Sequence, residues 1–212
     1  MATGLFLVIV IAQGAMRPEY DVWQQAVSAL SLGPGAWVQQ LNFAMLGLVL
    51  LSTTLVWRRI LIGGRGAVAY PALTALTALS LIAVAFVPQD PAPGYDPEQL
   101  GHALPTATGL AHIGLAAVCS GCSVAGMFVL ASRFSRTAGW RGWPRYSRTM
   151  AVLTILCVAV YAAWSTHPSG LAGLFERLAI ILPAAWGFSL VGRLSSGAPF
   201  TICSVDSAIA ET

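Results

Sequence analysis

Residues 37–57 read WVQQLNFAMLGLVLLSTTLVW, a run with no charged side chain that is followed at once by Arg58 and Arg59. A helix needs about 20 mainly apolar residues to cross the hydrocarbon core of a bilayer. This run has that length, and it opens on Trp37, a residue type enriched at membrane interfaces. Working outward, five more apolar stretches occupy about 2–16, 67–87, 107–132, 147–164 and 172–194. The first is the shortest, and Pro18 directly after it disfavours helical geometry at Arg17. The fold class that follows is all-α: a polytopic membrane helix bundle with six transmembrane helices. Residues 1–196 form one domain, and residues 197–212, mixed in small and polar side chains, read as a flexible cytoplasmic tail.

Composition agrees. The 212 residues are 57% hydrophobic and 9% charged, with a mean hydropathy of +0.74, whereas a soluble domain carries about 25% charged residues. All 11 basic residues are Arg and none is Lys, which excludes Schiff-base and lysine-nucleophile chemistry. The net charge of +3 does not point to nucleic acid, because the arginines fall in loops between apolar spans and serve as topology signals. Arg58, Arg59, Arg65, Arg133, Arg136, Arg141, Arg145, Arg148 and Arg193 share one side of the expected bundle. The positive-inside rule makes that side cytoplasmic, so both termini are expected in the cytoplasm of a bacterial cell membrane. Cys119-Ser-Gly-Cys122 has redox-pair spacing, but it sits inside an apolar run among Gly109, Gly114, Gly121 and Gly126. Small residues there fit close helix approach.

The opposite side collects the functional-type side chains. Arg17, Glu19, Tyr20 and Asp21 open the first loop; Asp90, Tyr95, Asp96, Glu98 and His102 fill the second; Ser165, Thr166 and His167 lie in the third. His112 enters the fourth span and Glu176-Arg177 enters the sixth. An ionisable residue inside a span faces the bundle interior and usually pairs. The expected pairings are Arg17 with Glu176, and Arg177 with Asp21 or Asp90. After Asp21, a good helix cap, Val22, Trp23, Ala26, Val27 and Leu30 recur at three- and four-residue spacing, with Gln24, Gln25, Ser28 and Ser31 between them. That pattern predicts a short interfacial or re-entrant helix at about 21–31. Pro183, in the middle of the sixth span, predicts a bend that opens a cavity beneath the cluster.

Arg17-Pro18-Glu19-Tyr20-Asp21, Val27-Ser28-Ala29-Leu30, Gly35-Ala36-Trp37-Val38-Gln39, Asn42-Phe43, residues 86–91, Gly109-Leu110-Ala111-His112 and Gly173-Leu174-Phe175-Glu176-Arg177 resemble motifs of a bacterial, actinobacterial-type, domain-of-unknown-function family of six-helix membrane proteins. The resemblance covers nearly the whole chain and implies a fold without an activity. In size and polytopic character the chain is also similar to small bacterial membrane-bound meroterpenoid, drimane-type, terpene cyclases.

Three functions fit these residues. In the first, a buried carboxylic acid protonates an alkene and starts cyclisation of a prenyl chain in an apolar, aromatic-lined cavity. Asp21 and Asp90 are the candidate acids and His112 the hydrogen-bond partner or terminal base. Arg17, Tyr20, Trp23, Ser28, Tyr95, Tyr161, Trp164, Glu176, Arg177 and Trp186 are the candidate substrate-binding residues, the aromatic faces stabilising cations. The interface belt of a membrane protein uses the same aromatic residues. In the second, a transporter or lipid-binding accessory protein uses the polar cluster only to tie its loops together. In the third, three histidines and an aspartate hold a metal for lipid hydrolysis, although His102 and His112 do not have the spacing of ligands on one helix face. No metal and no other cofactor is expected. The expected partners are the lipid bilayer and a hydrophobic prenylated molecule; no residue pattern speaks to oligomeric state.

Overall fold

A computed structural model describes residues 2–91, 105–165 and 170–197. They form α1 (Ala2–Ala15), α2 (Ala36–Ile60), α3 (Ala69–Phe86), α4 (Ala107–Phe134), α5 (Trp143–Trp164) and α6 (Ala172–Ser195), with a 3₁₀ turn at Val27–Ser31. Helices α2 to α6 are long and apolar enough to cross a membrane, whereas α1 is shorter. At about 1.5 Å per residue, its 14 residues extend about 21 Å, less than the roughly 30 Å hydrocarbon core. The chain is thus an integral membrane helix bundle. Leu48, Leu55, Phe86 and Val191 lie half or more exposed on its outside. That is the surface expected of helices solvated by lipid, where loops hold the polar groups because hydrocarbon cannot.

Helices adjacent in sequence pack side by side, from α1 on α2 through α5 on α6, and α4 also touches α6. Two apolar cores result. One, at the Tyr20 end, joins Phe6, Val10, Tyr20, Val27, Leu30 and Phe43. The other, at the Arg133 end, joins Leu61, Tyr70, Met127, Phe134, Trp140 and Trp186. Gly47 sets the α2–α3 spacing: a Cβ there would lie 2.8 Å from the Ala78 carbonyl oxygen. Between the cores a cavity of about 420 Å³ is walled by α2, α3, α4 and α6 and by Thr154 of α5, with Phe6 of α1 at one end and Trp57 and Trp186 at the other.

The short helix expected at about 21–31 is present only over Val27–Ser31, as a 3₁₀ turn. Asp21 caps a single preceding turn: its carboxylate accepts the Trp23 N–H at 2.8 Å, and its carbonyl accepts those of Gln24 and Gln25. A longer α-helix would give the Val27 N–H to the Trp23 carbonyl and the Ser28 N–H to that of Gln24. Those two carbonyls instead accept Leu174 and Gly173 of α6. Tertiary partners therefore outcompete the local helix.

Candidate functional site

The N-terminus of α6 is built into the first loop. A helix leaves its first N–H groups without intrahelical partners, and here Gly173 donates to the Gln24 carbonyl at 3.1 Å and Leu174 to that of Trp23 at 3.2 Å. Glycine at 173 permits the approach, because a Cβ would sit 2.7 Å from the Val22 carbonyl oxygen and closer still to that of Gln25. One turn into the helix, Glu176 accepts the Val27 N–H. Beside it, Arg177 donates to the Gln25 carbonyl at 3.1 Å, to its own Gly173 carbonyl at 2.7 Å, and to the Tyr20 hydroxyl. The Tyr20 hydroxyl then donates to the Ala26 carbonyl at 3.0 Å. The carbonyls of residues 23–26 thus go in turn to Leu174, Gly173, Arg177 and Tyr20.

Tyr20 joins the two segments electrostatically as well. The Arg177 guanidinium lies 5.6 Å from its ring centroid, a cation–π distance. Burial pushes the Tyr20 phenol up to about 12, against the opposing pull of Arg177. It therefore stays neutral and keeps the proton that it donates to Ala26. Arg17, 8% exposed, clamps the other end of the loop by donating to the Leu32 carbonyl at 2.8 Å and to that of Pro34. The expected pairings of Arg17 with Glu176 and of Arg177 with Asp21 or Asp90 are thus replaced by backbone and phenol partners. Loop carbonyls at the membrane surface need donors, and a guanidinium offers five in a fixed fork.

Asp90 serves α4. Its carboxylate accepts the Thr106 N–H at 2.9 Å and the Thr106 hydroxyl, while Thr106 caps the helix by accepting the Gly109 N–H. A Cβ at Gly109 would collide with the carboxylate. Both features place an anion at a helix N-terminus, where the dipole stabilises it. His112, one turn further on, is buried as expected and donates from Nδ1 to the Val87 carbonyl at 2.7 Å. Ser28 donates to the Gln89 side-chain oxygen at 2.8 Å, so the Asp90 region abuts the first loop. The structure brings Tyr20, Ser28, Glu176 and Arg177 to one loop–helix junction, while the carboxylates of Asp21 and Asp90 are spent on capping.

The aromatic residues separate. Tyr161 lies in the last turn of α5, where its carbonyl accepts the Ser165 N–H. Trp164 packs edge-on to Phe175 at 6.1 Å, and Trp23 is 57% exposed. Trp186 belongs to the far core, bonded through its indole N–H to Ser147 at 2.9 Å, and it lines the cavity. Tyr95, Asp96, Glu98, His102, His167 and the tail beyond residue 197 lie outside the described residues. Among the described residues no three His, Cys, Asp or Glu side chains gather as metal ligands.

Of the cavity walls, Pro183 and Trp186 were singled out from sequence, but Phe6, Phe43, Trp57 and Tyr70 were not, since they look like any other membrane apolar positions. Gln13 carried a signal that went unused: a polar side chain within an apolar helix, it donates to the carbonyls of Leu30 at 3.2 Å and Gly35 at 3.0 Å. Cys119 and Cys122 both line the cavity. On α6 the cavity-lining positions Ile180, Pro183, Gly187 and Val191 continue the helical stripe that begins at Glu176. Glu176 thus stands one turn from the apolar chamber along α6, outside the residues that line it. No curated protein and no solved structure matches the chain. Residues 1–192 match a family model, and the chain belongs to that family, DUF998, described as a protein of unknown function.

Proposed function

We propose that the protein holds an apolar prenyl-type chain in the intramembrane cavity and cyclises it by proton transfer from Glu176. The observation that carries this reading is the stripe on α6 that places Glu176 one turn above cavity-lining Ile180. Asp21, Asp90 and Glu176 all lie outside the lining residues; Asp21 and Asp90, the acids expected from sequence, cap helical turns, whereas Glu176 shares α6 with the lining residues Ile180, Pro183 and Gly187. Glu176 has the Val27 N–H as its hydrogen-bond donor. In the proposed step the Glu176 O–H bond breaks and a C–H bond forms at a terminal alkene carbon. The resulting cation is attacked by the next alkene, forming a ring bond, and loss of a proton to the carboxylate or to water restores neutrality. The product is an isomer of the substrate. Phe6, Phe43, Trp57, Tyr70 and Trp186 along the walls supply faces that stabilise a cation.

A second reading, a lipid-binding protein without chemistry, is favoured by the way the walls use their hydroxyls. Thr74, Thr77 and Thr154 bond back to carbonyls of their own helices, which leaves an apolar lining suited to any hydrocarbon chain. Incubating the purified protein with a farnesylated aromatic substrate separates the two. Wild type should form an isomeric product, and Glu176→Gln should lose at least about 100-fold in turnover, as expected for removal of a general acid, while retaining its fold. Retention of an apolar chain through purification without turnover would support the second reading. Neither turnover nor retention would overturn both.

The exposed arginines 58, 59, 65, 136, 141, 145 and 148 all lie at the Arg133 end, and we place that end in the cytoplasm on the strength of this asymmetry. A reporter active only outside the cytoplasm, fused after residue 212, should stay silent; activity would reverse the orientation.

A further inference from the structure

The loop between α2 and α3 is folded around a buried arginine. Arg133, 1% exposed, donates to the carbonyls of Gly63 at 2.8 Å, Arg65 at 3.2 Å and Ile62 at 3.3 Å. In a trans peptide the N–H points opposite to the carbonyl of the same unit, and no peptide bond among the described residues is cis. Turning the carbonyls of Ile62, Gly63 and Arg65 inward therefore turns the N–H groups of Gly64, Gly66 and Gly63 outward. The loop accommodates this with positive φ at Gly63, Gly64 and Gly66, at 59°, 71° and 82°, a region that glycine enters without steric cost.

Among the described residues, no hydrogen-bond acceptor takes the N–H groups of residues 63–66, and Gly63, Gly64 and Arg65 are exposed. Exposed Arg58 and Arg59 close α2 immediately before the loop, and Arg65 stands within it, its guanidinium anchored by a 3.1 Å bond to the Ser132 hydroxyl. The N-terminus of α3 follows, adding the positive end of its dipole. The described carboxylates, those of Glu19, Asp21, Asp90 and Glu176, all belong to the opposite end. Outward amide groups in such a turn form a concavity that binds anions, and guanidinia match phosphate oxygens in charge and geometry. We infer that the amide edge of residues 63–66, together with Arg58, Arg59 and Arg65, binds the phosphate of a membrane lipid whose headgroup carries a net negative charge. The membrane-length helices α2 and α3 end here, which sets the loop at headgroup depth. This inference does not depend on what occupies the cavity.

The test compares binding of phosphatidylglycerol, phosphatidylcholine and inorganic phosphate to the full-length protein in detergent. Arg58→Gln/Arg59→Gln/Arg65→Gln is set against Arg141→Gln/Arg145→Gln, which removes charge from the same end outside the loop. Wild type should bind phosphatidylglycerol in preference to phosphatidylcholine. The loop variant should bind it at least about tenfold more weakly, and the control should keep wild-type affinity. Should loss of the Arg65–Ser132 bond unfold the loop variant, Arg58→Gln/Arg59→Gln keeps that bond and should still weaken binding. Inorganic phosphate that binds with the same dependence on the loop arginines, without a lipid preference, assigns the anion site to free phosphate and overturns the lipid assignment. Equal losses in loop and control variants, or equal affinity for the two lipids, overturn the site.

Discussion

At the Arg133 end one buried guanidinium gathers three carbonyls of a glycine-rich turn, and the core at this end is aromatic, with Phe134 and Trp140 stacked at 4.3 Å. At the Tyr20 end the same task is divided. Arg17 takes the carbonyls of Leu32 and Pro34, Arg177 takes that of Gln25, and Tyr20 takes that of Ala26. Both ends meet the membrane's demand that loop carbonyls be satisfied internally or by water. The difference lies in what is added. The Tyr20 end carries all the described carboxyls, Glu176 among them, and spreads its bonds over several elements. The Arg133 end concentrates them on one side chain and turns its amide groups outward. A network divided among many donors should lose each of them more cheaply than one gathered on a single residue.

That contrast can be broken by substitution. Arg133→Met, which leaves three loop carbonyls without their buried donor, should destabilise by about 3 kcal/mol or more. Arg177→Met should cost about 2 kcal/mol, because the Gly173 carbonyl keeps its helical position and only Gln25 and Tyr20 lose a partner. Thermal unfolding in detergent, followed by circular dichroism, ranks the two, and a larger loss for Arg177→Met would reverse the comparison. Gly173→Ala comes next. Its Cβ would press on two carbonyl oxygens of the first loop, so a loss of about 1–3 kcal/mol is expected, and unchanged melting would show that α6 does not depend on this close approach.

The smallest effect expected at neutral pH concerns Tyr20, which also sets a pH dependence. Burial raises the Tyr20 phenol from 10.0 to about 12 in the folded chain. A group whose folded value is raised adds stability that is complete below its unfolded value and is lost as pH climbs through the folded one. Stability should therefore fall between about pH 10 and 12. Tyr20→Phe should lower the melting temperature at neutral pH by the equivalent of about 1 kcal/mol, the net worth of one hydrogen bond, and should flatten that alkaline decline. If wild type and Tyr20→Phe decline in parallel, Tyr20 is not the group that couples the loop to pH.

Much of this architecture was legible before any coordinates. The helices fall within a few residues of the apolar stretches, because the length and charge content of a span are local properties. The choice of Arg17, Glu176 and Arg177 as site residues rested on the cost of ionisable groups near lipid, and the structure gathers these three, with Tyr20 and Ser28, around the first loop. Their partners were not legible. Arg17 and Arg177 were expected to seek carboxylates, yet the nearest unmet demand is that of backbone carbonyls, which a sequence does not advertise. Asp21 and Asp90 were expected as acids, but both stand where helical turns need an acceptor. Of the cavity, Pro183 and Trp186 were singled out beforehand, and both line it; its other apolar walls were not legible, since an apolar residue facing a chamber and one facing lipid are chemically alike.

By itself the sequence determined that the chain lives in a membrane, how many times its apolar stretches approach spanning length, and which end of the bundle is rich in arginine. These follow from composition and spacing alone. Only the tertiary structure decided that the turn after Asp21 stops short of a full helix. The carbonyls it needed are claimed by Gly173 and Leu174, and its Val27 N–H is claimed by Glu176, 149 residues further along the chain. A hydrogen bond can form only once between the same groups, and partners that distant become competitors only after the helices have packed.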